Sequence, residues 1–352
     1  MAVSPRRIAV AMSGGVDSSV AAALLKEWNH DVVGLTMRLY AGPCHDPCEE
    51  DASKIARELG IPHHVADLAA VFEDRTVGYF AAEYARGLTP NPCVLCNRLI
   101  KFGALFDVAR SLGATHLATG HYARIAKRAG RLAIRQGVDT GKDQSYVLAA
   151  LSQEQLERAV FPLGEHTKSE VRAIADKLGL TAVDRPESQD ICFVEDGDYR
   201  RFLEERGVGG KPGPVVTQNG TVLGTHQGLH RYTVGQRKGL GIAGPAPYYV
   251  LRLDSTRNAV VVGHAEDTCA SGLVMGDVVW SGRKRASQPF PCLAKIRYNH
   301  TPVAAVAQAE DEWVRVRFNE PESSIAPGQW CVLYEEDTIS VAGTILPPVE
   351  SG

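Results

Sequence analysis

An α/β domain with a parallel sheet, followed by a small mostly-β central domain and a C-terminal β-barrel, is the fold class this sequence predicts. Three observations carry it. Short β-rich runs alternate with amphipathic helical stretches as far as about residue 178, glycine and proline punctuate strand-like pieces after Tyr199, and alternating strands recur at barrel-like spacing beyond Val278. The expected domains are 1–199, 200–268 and 269–352.

In the first domain the strands fall at Ile8–Ala11, Val32–Met37, His64–Ala66 and His116–Thr119, and the helices at Glu50–Leu59, Leu68–Arg86 and Ile100–Leu112. Ligands of such a sheet bind at the carboxyl ends of its strands. That places Ser13 to Ser18, Met37 and the turn Thr119-Gly120-His121 on one rim. Helices at Gln153–Ala159 and Lys168–Leu178 close the domain. The central strands are Pro214–Thr217, Thr221–Leu223, Tyr248–Leu253 and Ala259–Gly263, and the barrel includes Leu293–Tyr298, Trp313–Phe318 and Trp330–Tyr334.

A chain of 352 residues, 44% of them apolar, can bury a large core. No apolar run approaches the ~18 residues of a membrane helix, and Met1 leads into the first strand without a signal-peptide pattern, so a cytoplasmic protein with no membrane partner is expected. Eight cysteines are then mostly reduced thiols, and clustered ones read as catalytic or metal-binding. The net charge of −3 is unevenly spread. Arg110, Arg124, Lys127, Arg128, Arg131 and Arg135 occur without an acidic residue among them, as do Arg206, Lys211, Arg231, Arg237, Lys238 and Arg252, and Arg283, Lys284, Arg285, Lys295 and Arg297. These stretches suit a surface that receives phosphates, and equally suit loops balanced in space by acidic segments elsewhere.

Ser13-Gly14-Gly15-Val16-Asp17-Ser18 follows the first strand and opens a helix. Two glycines let backbone N–H groups approach an anion at the positive helix end, the hydroxyls of Ser13 and Ser18 add donors, and Asp17 is a candidate anchor for Mg²⁺. The loop lacks the G-x-x-x-x-G-K-[ST] pattern and so the lysine of a P-loop enzyme. It resembles the SGGxDS motif of the PP-loop ATP pyrophosphatases, whose fold is adenine nucleotide alpha hydrolase-like and which split ATP between the α and β phosphates. On the same rim, the Met37 thioether could meet an adenine and Gly120 could let backbone approach the nucleotide. Gly239-Leu-Gly241-Ile-Ala-Gly244 matches G-x-G-x-x-G without a strand before it, and Pro245 and Pro247 stand where a helix should run, so it is a basic loop.

Cys93 and Cys96 lie in a proline-stiffened loop, and Cys192 is a third candidate. A basic neighbour or a helix N-terminus would lower a thiol's pKa and make it nucleophilic. Zinc on Cys44, Cys48, Cys93 and Cys96, or an iron–sulfur cluster on Cys93, Cys96 and Cys192, are alternatives; Cys269, Cys292 and Cys331 read as inert.

SGGVDSSVAA, TPNPCVLCNRLIKF, ATGHYAR, GKDQSYVL, ESQDICF, HQGLHRYTVGQRKGLGI and the late PGQ, in that order, resemble the bacterial-type tRNA-specific 2-thiouridylases over nearly the whole chain. The resemblance implies ATP contacts at Ala11, Met12, Ser13, Gly14, Gly15, Val16, Asp17, Ser18, Met37 and Gly120. It implies Cys96 as nucleophile and Cys192 as persulfide carrier, with a Cys96–Cys192 disulfide left after turnover. Asn91, Pro92 and Cys93 match the segment beside the target base, and His121, Lys142, Asp143, Gln144, Arg297, Tyr298 and Gln329 match tRNA-contacting positions. Some relatives have Asp where this chain has Cys93, which puts an acid–base role at that position in doubt and favours a metal-binding role for its thiol. The implied partners are tRNA, through the anticodon loop with its wobble uridine, and a persulfide donor such as a cysteine desulfurase or sulfur-relay protein.

Overall fold

The computed structural model describes residues 5–40, 47–181, 191–194, 196–285 and 287–348. Cys44 lies outside them. Strands β1 (Arg7–Ala11), β2 (Asp31–Arg38), β3 (His63–Asp67) and β4 (His116–Ala118), a hairpin of β5 (Ala123–Arg128) and β6 (Arg131–Gln136), and the short β7 (Ala159–Val160) belong to the first segment. All but the hairpin form one parallel sheet in the order β3-β2-β1-β4-β7. Both faces are covered, as a parallel sheet requires. Ile8 and Val10 point to a core made with α1 (Val16–Glu27), α2 (Pro47–Leu59) and, later in the chain, a helix at Lys168–Lys177; Ala9, Val33 and Leu35 point to the other face.

That second face is packed by two composite helices. The first, α3 (69–85), contains a π turn at Glu73–Val77, and the second, α4 (92–111), contains a longer π segment at Cys96–Leu105. The expected helix at Ile100 therefore begins eight residues earlier, and Cys93 and Cys96 lie in its first turns rather than in a loop. The cause is local: the Cys93 N–H donates to the Asn91 side chain at 3.1 Å and Pro92 takes the first helical position. Helices α5 (Gln153–Arg158), α6 (Lys168–Lys177) and α7 (Tyr199–Glu205) follow.

The central strands β8 (Gly213–Thr217), β9 (Val222–His226), β10 (Tyr249–Asp254) and β11 (Ala259–Gly263) form a sheet ordered β10-β11-β8-β9 with its own core of Val215, Leu229, Tyr232, Leu240, Val250, Val260 and Val262. The last strands are β12 (Cys269–Trp280), β13 (Phe290–Lys295), β14 (Val303–Glu310), β15 (Trp313–Ser323), β16 (Trp330–Glu335) and β17 (Thr338–Ile345). They run in the order β12-β15-β14-β13-β16-β17, and β12 pairs again with β17 to close an antiparallel barrel.

The β5–β6 hairpin, absent from the sequence expectation, joins this last sheet through Thr338 opposite Arg135. Its arginines explain the first basic stretch. Arg135 and Arg124 pair with Asp337 at 2.6 and 3.4 Å, Arg128 pairs with Glu335 at 2.9 Å, and Arg131 donates to the carbonyls of Trp280 and Ser281. For Arg124, Arg128 and Arg135, balance by an acidic segment elsewhere wins over a phosphate surface, and Arg131 is taken up by backbone carbonyls. The core is continuous across the same boundary: Trp330, Val332, Tyr334, Ile339 and Ala342 pack in one cluster with Val33, Phe80 and Ile100.

Burial pushes the Asp337 carboxyl up, but hydrogen bonding and charge from Arg135, with help from Thr338 and Arg124, hold it below its ordinary value. The stability this contributes is present above the unfolded carboxyl pKa and is lost as pH falls through the folded one. Asp337→Asn should lower the unfolding free energy by about 1–3 kcal/mol at neutral pH. In denaturant melts the gap to wild type should close below about pH 4.

Candidate nucleotide and thiol site

Two hydrogen bonds anchor the loop after β1 to β2. The Met12 N–H donates to the Leu35 carbonyl at 2.8 Å, and the Thr36 hydroxyl donates to the Met12 carbonyl at 3.0 Å. Gly14 adopts φ +74, and a Cβ on it would stand 2.4 Å from the Asp51 Cβ, so only glycine lets α2 sit this close. Gly15 caps α1 without a side-chain bond, and a Cβ there would meet nothing nearer than the Ser13 hydroxyl at 3.6 Å. The helix start thus presents uncapped N–H groups to an open cradle, which suits a phosphate chain.

The serines behave differently from expectation. Ser18 donates to the Gly15 carbonyl at 3.1 Å and accepts from the Ser13 N–H at 3.2 Å, so its hydroxyl orders the loop. Gly120 also serves the protein: a Cβ there would lie 2.9 Å from the Asp17 carbonyl carbon and the Ser18 nitrogen. The turn after β4 packs directly on the start of α1, and that contact excludes a side chain. Ala11 and Met37 are half-buried at the ends of β1 and β2, Met12 and Val16 are buried, and all lie on the same rim.

Asp17, the expected magnesium anchor, is engaged by protein groups in this structure. Its carboxylate accepts from Lys168 Nζ at 2.8 Å on each oxygen and from the Tyr122 hydroxyl at 2.7 Å. An ammonium stands where the cation was expected. Among the described residues no group of three His, Cys, Asp or Glu side chains is placed to hold a metal; Cys44, one of the four thiols expected for zinc, lies outside them.

Those three thiols nevertheless come into electrostatic reach of one another. All are free, with Cys93 and Cys192 exposed and Cys96 partly covered. Cys192 is presented by its neighbour: Phe193 is buried among Phe72, Phe80 and Phe202, and the Cys192 carbonyl accepts from Tyr40 at 2.9 Å. The expected lowering of thiol pKa does not occur in the helix. Solvent touches Cys93, yet both thiols lie in a protein-dense recess, and burial pushes Cys96 up to about 12 and raises Cys93 as well. Lys101 is the opposing cation. It stands five residues after Cys96, and the i→i+5 bonding of the π segment brings such a pair to the same side.

The remaining expected positions divide into two kinds. Asn91 and Pro92 are capping residues of α4, Asp143 accepts from the Gly137 and Ser145 N–H groups, and Gln144 bonds the Tyr122 backbone in both directions. His121 is buried against Thr119, and burial followed by Lys101 lowers its pKa well below normal, so it offers no charge to a phosphate. Gln329 reaches from the barrel to donate to the Thr89 and Pro90 carbonyls at 2.9 and 3.4 Å, which steadies the entry to α4. Outward-facing groups are fewer. Tyr298 is exposed, its ring 6.0 Å from that of Tyr146 beside the Lys142–Gln144 turn, with the Lys295 ammonium 5.7 to 5.8 Å from both rings. One buried Arg297 nitrogen, Nη1, has no hydrogen-bond partner among the described residues.

Comparison with known proteins agrees along the whole chain. Residues 6–196 match the family described as tRNA methyl transferase HUP domain, 200–264 its PRC-barrel domain, and 270–345 an aminomethyltransferase beta-barrel domain. The tRNA-specific 2-thiouridylase MnmA of Geobacter metallireducens is 48% identical over 97% of this chain and 96% of that one. The chain belongs to the tRNA-specific 2-thiouridylase family. The proteins of that name from Trichlorobacter lovleyi and Carboxydothermus hydrogenoformans are each 46% identical, over 96% and 97% of this chain and 97% and 98% of theirs. Likeness to the U34-tRNA thiolase NcsA from Methanococcus maripaludis with its [4Fe-4S] cluster is slight, a TM-score of 0.36 at 22% identity over 57% of this chain and 66% of that one.

Lys168, Tyr122 and Lys101 are the residues of this 2-thiouridylase-family site that sequence reasoning missed. Lys168 and Tyr122 reach Asp17 from 151 and 105 positions away, a pairing no local pattern announces. Lys101 was legible as a charge within NRLIKF, but its approach to Cys96 depends on the π register. Because Cys96 is far from its titration point, its alkylation by iodoacetamide should quicken about tenfold per pH unit between roughly pH 7 and 9. A plateau within that range, read by peptide mass spectrometry, would contradict the buried-thiol geometry.

Proposed function

We propose that this chain is an ATP-dependent tRNA-uridine 2-sulfurtransferase acting on a wobble uridine. The observation that carries the reading is the convergence of Cys192 on Cys93 and Cys96 across about a hundred residues of sequence, beside a sheet rim built to hold phosphate. The names of the relatives support it. ATP is a substrate in this reading, and Mg²⁺ enters with its phosphates.

The uracil oxygen at carbon 2 attacks the α-phosphorus, the α–β bridging bond breaks, pyrophosphate departs with its electron pair, and the ring loses its N3 proton. Backbone N–H groups at the start of α1 meet the charge that moves onto pyrophosphate. The terminal sulfur of a Cys192 persulfide then bonds carbon 2 and AMP leaves. Cys96, as thiolate, attacks Cys192 Sγ, which releases the sulfur on carbon 2 as 2-thiouridine and forms a Cys96–Cys192 disulfide. An external thiol supplies the two electrons that reset it, and a persulfide-bearing protein reloads Cys192. Three free thiols within electrostatic reach of one another support the persulfide route.

A splayed anticodon base costs little to unstack, and exposed cations remain that the hairpin clamp does not use. Arg237 and Lys238 project from the loop before Leu240, while Lys284 and Arg285 follow β12. The Arg297 Nη1 proton would find its acceptor in a phosphate oxygen.

Two measurements test this. Cys96→Ser and Cys192→Ser should each lower 2-thiouridine formation by about a thousandfold or more while leaving tRNA affinity nearly intact; turnover at wild-type rate in either would overturn the assignment. Replacing Arg237 and Lys238 together by Ala should flatten the plot of log tRNA affinity against log salt by about 1 to 2 units.

A further inference from the structure

We propose that Lys168 is the phosphate-binding cation of the nucleotide site, held by Asp17 in this structure and transferred to the phosphate chain when ATP lies on the loop. The inference rests on the reading of Ser13–Ser18 as an ATP site and adds the residue that the loop itself does not carry. A triphosphate brings several negative charges, and backbone N–H dipoles alone leave them poorly compensated. P-loop enzymes solve this with a lysine inside the loop, and none occurs between Met12 and Val20.

The structure brings one in from elsewhere. The Lys168 ammonium lies 2.8 Å from both oxygens of Asp17, the second residue of α1, and its side chain is only 12% exposed. Its backbone is fixed. Thr167 and Glu170 form a reciprocal cap at the start of the ten-residue α6, and the Lys168 N–H donates to Asp139 at 2.9 Å. The side chain alone is therefore left to move, on a four-carbon stem long enough to shift from a carboxylate to a neighbouring phosphate. Asp17 has a second donor in the Tyr122 hydroxyl at 2.7 Å, so it keeps a partner when the ammonium leaves. A polyanion competes well against a single carboxylate for one ammonium, which sets the direction of the exchange.

The competing role is structural, with Lys168 serving only to hold Asp17 and the loop. Binding of ATP, inorganic pyrophosphate and adenosine to the full chain separates the two. Lys168→Gln should weaken ATP and pyrophosphate by about tenfold or more, leave adenosine unchanged, and be largely rescued by Lys168→Arg. Unchanged ATP affinity, or equal loss of ATP and adenosine, would overturn the proposal. The broader function is judged separately, by whether wild-type protein releases pyrophosphate from ATP when unmodified tRNA is added. Its failure there would leave the Lys168 comparison readable.

Discussion

Two neighbouring carboxylates, Glu335 and Asp337, tie the C-terminal barrel to the nucleotide-binding half of the molecule. Around them gather Arg124, Arg128 and Arg135 from the β5–β6 hairpin and Arg283 from the barrel itself. These pairs are only partly shielded from water, so their individual worth is modest. Their effect is to fix register, because the apolar cluster behind them runs without a break from the parallel sheet into β16 and β17. The thiol side of the site inherits its position from that join: Gln329 steadies Thr89 and Pro90, Asn91 caps α4, and α4 carries Cys93 and Cys96.

Much of this was legible in the sequence, and the reasons for the rest are physical. The strands β1 to β4 announced themselves as short runs alternating with helical stretches, and the glycine loop as a turn between strand and helix. Periodicity could not reveal that Arg124 to Arg135 form a hairpin whose partners lie two hundred residues on; positive charge without nearby acid looks the same whether it faces phosphate or a distant carboxylate. The start of α4 was placed late because Asn91 and Pro92 read as loop residues when they are the cap. Asp17 was assigned a metal because a carboxylate beside phosphates usually has one, and only the fold shows that Lys168 already meets it.

The thiol recess shows a conflict between two demands. Sulfur chemistry is protected when water is kept away, yet the same burial favours the neutral thiol over the thiolate. Cys96 lies on the protected side of this balance, and the wide turn of α4 offsets part of the burial by bringing Lys101 to bear. Gln155 supports that turn by donating to the carbonyls of Arg98 and Phe102 at 2.6 and 3.0 Å, two acceptors that the loosened helix leaves accessible. A local irregularity in the helix is thus held in place by a residue from a different element, α5.

The aromatic seat of Phe193 has a kinetic meaning. With Phe193 seated among Phe72, Phe80 and Phe202 and the Cys192 carbonyl held by Tyr40, the Cys192 sulfur is anchored by its neighbour and turns about its own side-chain torsion. In the persulfide route proposed above, whatever delivers sulfur to that atom and whatever takes it away would therefore visit the same patch, one after the other. Under that proposal the site is a fixed exchange point, at which donor and acceptor take turns.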